Sequence, residues 1–165
     1  GTRAVELLRR GGEVFGARAS LGAARVVERD AELALQGAAS VRGVIVDVSN
    51  PHCVLFVARE ELARIALLGP LLARHPRFPA GTNVELATPG PGPARFTARV
   101  FERGVGETAA CGTGAAAIAV AAAETGRGAL PLSIVLPGGV LEVDRDAHGE
   151  IWLTGPVAVA SEPRA

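Results

Sequence analysis

Residues 111–126 read CGTGAAAIAVAAAETG, and this stretch decides the fold. From Gly114 to Thr125 the sequence is almost entirely small and apolar, and Gly126 follows at the position where helices commonly end. A surface helix keeps one polar face, whereas a helix that is apolar all round belongs in the centre of a protein. The stretch therefore predicts a central, buried helix that the rest of the chain must cover.

Short strands are predicted on both sides of this helix. They are expected at residues 14–19, 23–29, 31–36, 43–48, 52–57, 82–87, 95–101, 132–136, 140–143 and 151–153. A turn is expected at Leu21-Gly22, and the proline-rich residues 88–93 are expected to stay outside any sheet. The spacing of apolar residues predicts helices over Thr2–Arg10 and over residues 60–74, the second interrupted at Gly69-Pro70.

The order of these elements favours an α+β fold. Many short strands occur without the regular strand–helix alternation of a doubly wound sheet. We expect a curved, mostly antiparallel sheet that wraps around the buried helix. Residues before about Gln36 are expected to belong to a preceding domain.

The composition of the chain narrows the possible functions. The 165 residues carry no net charge and no run of basic residues, which argues against binding to nucleic acid or to anionic membranes. No lysine occurs, so the chain cannot form a Schiff base with pyridoxal phosphate or with a carbonyl substrate. Two cysteines and three histidines without paired spacing make a metal site unexpected. Two cysteines do not form a disulfide framework, so a reducing, cytoplasmic location is expected.

Cys111 lies where a loop meets the start of the apolar helix. Backbone N–H groups there lack helical partners, and the positive end of the helix dipole favours an anion. We therefore expect a depressed pKa for this thiol, with a substrate carboxylate held on the same N–H groups. A free cysteine is more often a small buried hydrophobe, but Gly112 to Gly114 leave room for a ligand and favour a functional role.

The sequence around Cys53, His52 and the two asparagines does not by itself separate structural from functional roles for every residue. Cys53 lies inside an apolar strand and is expected in the core. His52 follows a tight turn at a strand end and suits either a structural or a functional role, while Asn50 and Asn83 suit turns.

Glu102 and Arg103 lead into the loop before Cys111. They form either a solvated ion pair or a functional pair. In the second case the guanidinium binds a carboxylate and the glutamate transfers a proton.

These segments together resemble one family, diaminopimelate epimerase. The matching segments follow one another in order: Asn50-Pro-His-Cys-Val54, Arg77-Phe-Pro with Thr82-Asn83, Glu102 to Thr108, Ala110 to Gly114, Leu136-Pro-Gly-Gly139 and Leu153-Thr-Gly-Pro156. The resemblance implies a cofactor-independent epimerase that interconverts LL- and meso-diaminopimelate in lysine and peptidoglycan precursor biosynthesis. Two cysteines act on opposite faces of the α-carbon, one as thiolate and the other as thiol.

The resemblance also implies roles for individual residues. Cys111 matches the second proton-transfer thiol, and the backbone N–H groups of Gly112 and Thr113 match the positions that hold the α-carboxylate. His52 and Glu102 match residues that assist proton traffic. Asn50, Asn83 and Arg103 match residues that bind the distal, unreacted end of a small-molecule substrate. The resemblance implies no metal and leaves a homodimer open.

The family's first catalytic cysteine has no counterpart in this sequence. It belongs to a Cys-Gly-Asn-Gly segment expected just before Gly1, and Cys53 matches a different, non-catalytic position. By the resemblance, residues 1–36 are the end of a first domain, and residues 37–165 are the second domain of a pseudo-symmetric, two-domain molecule. We expect this chain to be inactive alone.

Three other functions remain open at this stage. They are a racemase for another amino acid, a cysteine hydrolase that pairs Cys111 with His52, and a module that binds a ligand without turning it over.

Overall fold

The computed structural model describes residues 3–35, 37, 39–92 and 94–157. This part of the chain confirms the α+β class, with eleven strands in a single sheet and two α-helices. The strands are β1 Val5–Arg10, β2 Glu13–Ala23, β3 Arg25–Leu33, β4 Val41–Asp47, β5 Pro51–Phe56, β6 Asn83–Pro89, β7 Arg95–Glu102, β8 Gly106–Thr108, β9 Leu132–Leu136, β10 Gly139–Arg145 and β11 Glu150–Pro156. The helices are α1 Ile65–Ala73, which follows a 3₁₀ helix at Arg59–Arg64, and α2 Gly112–Glu124.

The sheet is mostly antiparallel and curves back toward its own start. Its strand order is β1-β2-β11-β10-β9-β7-β6-β5-β4-β3, with β8 beside β7, and only β5–β6 and β7–β9 are parallel pairs. Only Ala24 separates β2 from β3, although these strands lie toward opposite ends of the order. The continuous segment that forms β2 and β3 therefore contributes a strand near each end of the sheet order. The sheet must curve to bring these ends together, and it encloses an interior space.

Helix α2 occupies the space inside this curved sheet. Every side chain from Ala115 to Ala122 is fully buried, and the helix packs against strands from both halves of the sheet. Its alanines let the helix axis approach the sheet closely, while Ile118 and Val120 fill the remaining space. The prediction of a central, buried helix is confirmed.

Helix α1 covers the opposite face of the sheet. Successive residues of β4 and β5 point to the two sides, so that Val54 faces α2 while Cys53 and Leu55 join the core beneath α1. The predicted interruption at Gly69-Pro70 is wrong, because α1 continues through both residues. A side chain at Gly69 would have its Cβ 2.6 Å from Cγ of Phe101, so the glycine permits the close packing that holds the helix together.

The predicted helix over Thr2–Arg10 is also wrong. The described part of this segment starts at Arg3, and from Val5 to Arg10 it is strand β1, which pairs with β2 in an antiparallel hairpin. Gly11 and Gly12, with φ of 58° and 88°, make the turn that brings the two strands together. Two apolar residues at helical spacing were too weak a signal against this pairing; Thr2 lies outside the described residues.

Two further local predictions need correction. The turn expected at Leu21-Gly22 is a bulge within β2, where Leu21 is the extra residue opposite the Ile151–Trp152 step and Gly22 adopts a φ of 79°. Residues 88–93 are not wholly outside the sheet, since β6 continues to Pro89 at its end. Gln36 and Pro93, at the ends of predicted segments, lie outside the described residues.

Strands β2 and β3, which fall before residue 36, pair with β11 and β4 of the later segment. The division into two domains at this point stays a prediction. Neither described helix combines the length and the apolar character that crossing a bilayer requires.

Candidate active site

Cys111 is the N-cap residue of α2, as the sequence predicts. Its backbone is extended, with φ of −143° and ψ of 116°, and the backbone N–H of Gly114 donates to Sγ at 3.4 Å. The residue is only 7% exposed. The thiol thus lies in the first turn of a helix whose body is the core of the protein, which fixes the position of the sulfur.

The expected depression of the Cys111 pKa is wrong, because the pKa is raised. Burial is the main cause, since it disfavours the charged thiolate, and the neighbouring Glu102 carboxylate adds to the effect. Hydrogen bonds from Thr113 and Gly114 act in the opposite direction but do not outweigh it. At neutral pH this sulfur is therefore a thiol that can donate a proton, and it becomes a base only after losing one.

Glu102 lies beside the thiol and is oriented by a residue that the sequence analysis missed. The Cys111 Sγ–H donates to Glu102 Oε2 at 3.4 Å, while the Thr108 hydroxyl donates to Oε1 at 2.7 Å. Thr108 therefore turns the second carboxylate oxygen toward the sulfur. Glu102 is not paired with Arg103 in the described chain, and its contacts favour proton transfer over a solvated charge pair.

Gly112 and Thr113 open α2 and lie next to the thiol. Their backbone N–H groups are at helix positions that have no intrahelical partner, and they make no hydrogen bond within the described residues. A side chain at Gly112 would have its Cβ 2.8 Å from Cδ2 of Leu153, so the glycine allows Leu153 to lie close to the start of α2. These two donors can hold a carboxylate beside the sulfur.

Asn50 and His52 belong to a second group of polar side chains. His52 Nε2 lies 3.1 Å from Oδ1 of Asn50, and Nδ1 lies 2.6 Å from Oε1 of Glu85. Both His52 and Glu85 are completely buried. Since its two ring nitrogens are engaged here, His52 is not the partner of Cys111, and the hydrolase pairing loses its support.

Glu85 was missed by the sequence analysis. It stands in the segment Val84-Glu85-Leu86, between two apolar residues that are both fully buried. A carboxylate inside a buried strand requires a partner, and this was the available signal.

Asn83 and Arg103 are joined through the backbone of Arg103. Oδ1 of Asn83 accepts a hydrogen bond from the Arg103 N–H at 2.8 Å, and Asn83 pairs with His52 across β5 and β6. The Arg103 guanidinium is exposed and donates to the Ala80 carbonyl at 2.6 Å. It lines a cleft of about 520 Å³ whose walls do not include Cys111.

Cys53 has a different environment from Cys111. It is completely buried beneath α1, and burial raises its pKa strongly. Its expected place in the core is confirmed. Among the described residues, no cluster of histidine, cysteine or acidic side chains could hold a metal ion.

The different burial of the two thiols predicts selective alkylation. We expect iodoacetamide to modify Cys111 faster than Cys53 and expect the rate at Cys111 to increase with pH through a midpoint above that of an ordinary thiol, because only the thiolate reacts. Peptide mass spectrometry of samples quenched at several pH values measures both rates.

The Glu102→Gln variant provides the control for this experiment. Removing its negative charge should move the midpoint for Cys111 to lower pH. Faster labelling of Cys53, or a midpoint below that of an ordinary thiol, would contradict this account of the two environments.

The fold occurs in amino-acid epimerases and racemases. A hydroxyproline epimerase from Agrobacterium vitis matches 93% of this chain and 53% of its own, with a TM-score of 0.72 and 18% identity. A probable proline racemase from Agrobacterium radiobacter matches 98% of this chain and 58% of its own, with a TM-score of 0.67 and 16% identity. At such low identity these similarities show a shared fold.

Sequence similarity then defines the family. The sequence model named diaminopimelate epimerase matches residues 44–160, so the chain belongs to the diaminopimelate epimerase family. A diaminopimelate epimerase from Desulforudis audaxviator is 49% identical over 112 residues, which is 67% of this chain and 40% of that protein. One from Moorella thermoacetica is 36% identical over 162 residues, covering 91% of this chain and 58% of that protein. The chain thus spans about half the length of these relatives.

Proposed function

We propose that this chain provides one half of the active site of a cofactor-independent diaminopimelate epimerase. The observation that carries the proposal is the Cys111 thiol, which caps α2 beside the Glu102 carboxylate and two backbone N–H groups that make no hydrogen bond to any described residue. Family membership supports the choice of reaction. The reaction inverts one α-carbon and places the protein in lysine and peptidoglycan precursor biosynthesis, in the reducing cytoplasm that free thiols favour.

In this proposal Cys111 acts as the acid in one direction of the reaction. Its raised pKa keeps the proton on sulfur until charge develops on the α-carbon, and Sγ–H then delivers that proton. In the reverse direction the sulfur must first become a thiolate. Glu102 Oε2 accepts a hydrogen bond from Sγ and is the group placed to take up that proton.

The start of α2 supplies the electrostatic part of the mechanism. Removing an α-proton shifts negative charge onto the neighbouring carboxylate. The N–H groups of Gly112 and Thr113, together with the positive end of the helix dipole, would stabilise this charge. Because these groups are fixed by a buried helix, they need no reorganisation during the reaction.

The proposal requires a second thiol on the opposite face of the α-carbon. Cys53 does not qualify, because it is fully buried beneath α1 on the far side of the sheet from α2. Cys53 and Cys111 are the two cysteines of the sequence. We infer that the second thiol comes from a polypeptide segment outside these 165 residues.

The distal end of the substrate is assigned to Asn50, Asn83 and Arg103. A guanidinium fork suits bidentate binding of a carboxylate, and Arg103 lines an open cleft, where the Ala80 carbonyl is the one described hydrogen-bond partner of its guanidinium. Diaminopimelate has a second amino-acid head that would use these groups, whereas lysine lacks the distal carboxylate.

Replacing Arg103 with lysine tests this assignment. We expect Arg103→Lys to bind diaminopimelate about 10-fold more weakly or worse, because losing a charge-assisted hydrogen bond costs roughly 1.5–3 kcal/mol. Isothermal titration with the LL and meso isomers measures the affinity, with lysine as the control ligand. Arg99→Lys is the matched control and should bind normally, because Arg99 lies in β7, four residues before Arg103, and pairs with Glu107 at the surface.

The same titration tests the proposed function. If the wild-type chain binds diaminopimelate no better than lysine, the proposed substrate is wrong. If it binds well and Arg103→Lys is unchanged, the substrate stands and Arg103 has no role in binding it.

A further inference from the structure

Glu85 is a buried carboxyl group with one unsatisfied oxygen. Its side chain is completely buried, Oε1 lies 2.6 Å from Nδ1 of His52, and Oε2 has no hydrogen-bond partner in the part of the chain that the structure describes. Buried polar atoms without a partner are rare and costly. The burial of this carboxyl group therefore needs a structural or functional explanation. Its protonation state must also limit the free-energy cost of burial.

Glu85 lies directly behind the start of α2. A Cβ placed on Gly114 would be 3.1 Å from Oε1 of Glu85 and 3.4 Å from Sγ of Cys111. The glycine thus lets the carboxyl group approach the first helical turn on one side while the thiol occupies the other. From this point, hydrogen bonds connect Glu85 to His52 and His52 to Asn50, which is half-buried.

The hydrogen bonds determine where the protons lie. The structure turns Oδ1 of Asn50 toward the ring, and because this oxygen can only accept, His52 Nε2 carries a hydrogen and donates it in this orientation of the amide. The short contact between Nδ1 and Oε1 then requires one proton between them, and two arrangements satisfy this: a carboxylic acid donating to a neutral ring, or a carboxylate accepting from an imidazolium. The second would leave a charged oxygen, Oε2, buried with no hydrogen-bond partner among the described residues, which is the more costly state.

We propose that Glu85 is a neutral carboxylic acid that donates to Nδ1 of His52 and so acts as a positioning residue for the site. This donation holds His52 in the form with hydrogen on Nε2. The ring then fixes Asn50 with Oδ1 turned inward and its NH₂ group left to donate to a ligand. Glu85 and Asn50 thus act as a pair, with the carboxyl proton setting the direction of the amide.

The electrostatic environment supports this state. Burial raises the pKa of Glu85 above its usual range, and the nearby Glu102 carboxylate raises it further, while His52 acts in the opposite direction. The role in ligand binding rests on the proposed function, because Asn50 is assigned there to the distal end of the substrate. The ligand group that an NH₂ donor recognises is a hydrogen-bond acceptor such as a carboxylate oxygen.

Two variants separate a proton donor from a space-filling side chain. In Glu85→Gln the amide NH₂ can replace the acid as donor to Nδ1. Glu85→Met has a similar length and no donor. We expect Glu85→Gln to bind diaminopimelate as the wild type does and Glu85→Met to bind about 2- to 10-fold more weakly, the effect of one hydrogen bond.

Nitrogen NMR of ring-labelled histidine tests the proton positions without any ligand. His52 is assigned by comparison with His75→Asn and His148→Asn variants. We expect hydrogen on Nε2 and a bare Nδ1 in the wild type and in Glu85→Gln, with this form lost in Glu85→Met. A doubly protonated ring, or hydrogen on Nδ1 alone, in the wild type would overturn the proposal.

The two measurements also separate this proposal from the proposed function. If Glu85→Met binds the ligand as tightly as the wild type, Glu85 is not a positioning residue, although the epimerase assignment stands. If the wild-type chain binds no diaminopimelate, the proposed substrate fails, and the ring spectra together with the Asn50 NH₂ signals of the three proteins still decide whether Glu85 holds the pair.

Discussion

Replacing Cys111 with alanine is expected to lower stereoinversion of diaminopimelate by at least about 100-fold, the usual minimum contribution of a positioned proton-transfer group. The variant loses the only thiol at the start of α2 but keeps the helix, because the Cys111 backbone carbonyl still accepts from the N–H of Ala115. The assay combines this chain with the segment of the Moorella thermoacetica relative that the chain does not match. Chiral chromatography of the products measures the rate.

Cys53→Ala is the matched control for that experiment. It also removes a buried sulfur, but from the core beneath α1, so it should lower stability while leaving the rate of inversion nearly unchanged. Wild-type inversion by Cys111→Ala would contradict the assignment of Cys111. Loss of inversion in Cys53→Ala, in a variant that remains folded, would assign the proton transfer to Cys53 instead of Cys111.

The 165-residue chain by itself is expected to leave LL-diaminopimelate unconverted. Inversion requires an acid and a base on opposite faces of the α-carbon, and this chain supplies one thiol at the site. Even exchange of the α-proton on one face should be very slow, because in our proposal a second segment is needed to close the site against water. Weak binding at Gly112 and Thr113 does not depend on the second thiol and should persist.

Supplying the proposed second half of the site is the positive arm of this prediction. Inversion should appear when the separately produced segment of a relative is supplied and should depend on the second thiol that our proposal assigns to that segment. Inversion by the chain alone, with an intact mass that excludes any partner polypeptide, would contradict the two-thiol proposal.

The parts of the fold that the sequence predicted well are those with a strong, continuous signal. Helix α2 is apolar on every side, and its burial followed from that alone. The N-terminal strand β1 gives a weaker sequence signal, because most of its side chains are exposed and it is held in place by pairing with β2. Gly69-Pro70 gave a local breaking signal that was overridden by the packing of α1 against Phe101.

The candidate site could be predicted only to the level of its helix terminus. The position of Cys111 at the start of α2 followed from the local pattern, but the direction of its pKa did not. Burial depends on how the whole sheet surrounds the thiol, and the Glu102 charge reaches it only in the folded chain. Glu85 and Thr108 were missed because their partners lie on other strands or across a turn, at distances that local sequence does not encode.

Stereospecific deuterium incorporation tests the central claim, that Cys111 transfers a proton on one face of the α-carbon, most directly. The two-part assembly is incubated in D₂O with each isomer of diaminopimelate, and NMR follows the α-position. The wild type should give inverted product carrying deuterium. Cys111→Ala should exchange only the α-proton that faces the remaining thiol, with retention of configuration. Inverted, deuterated product from Cys111→Ala would contradict the account.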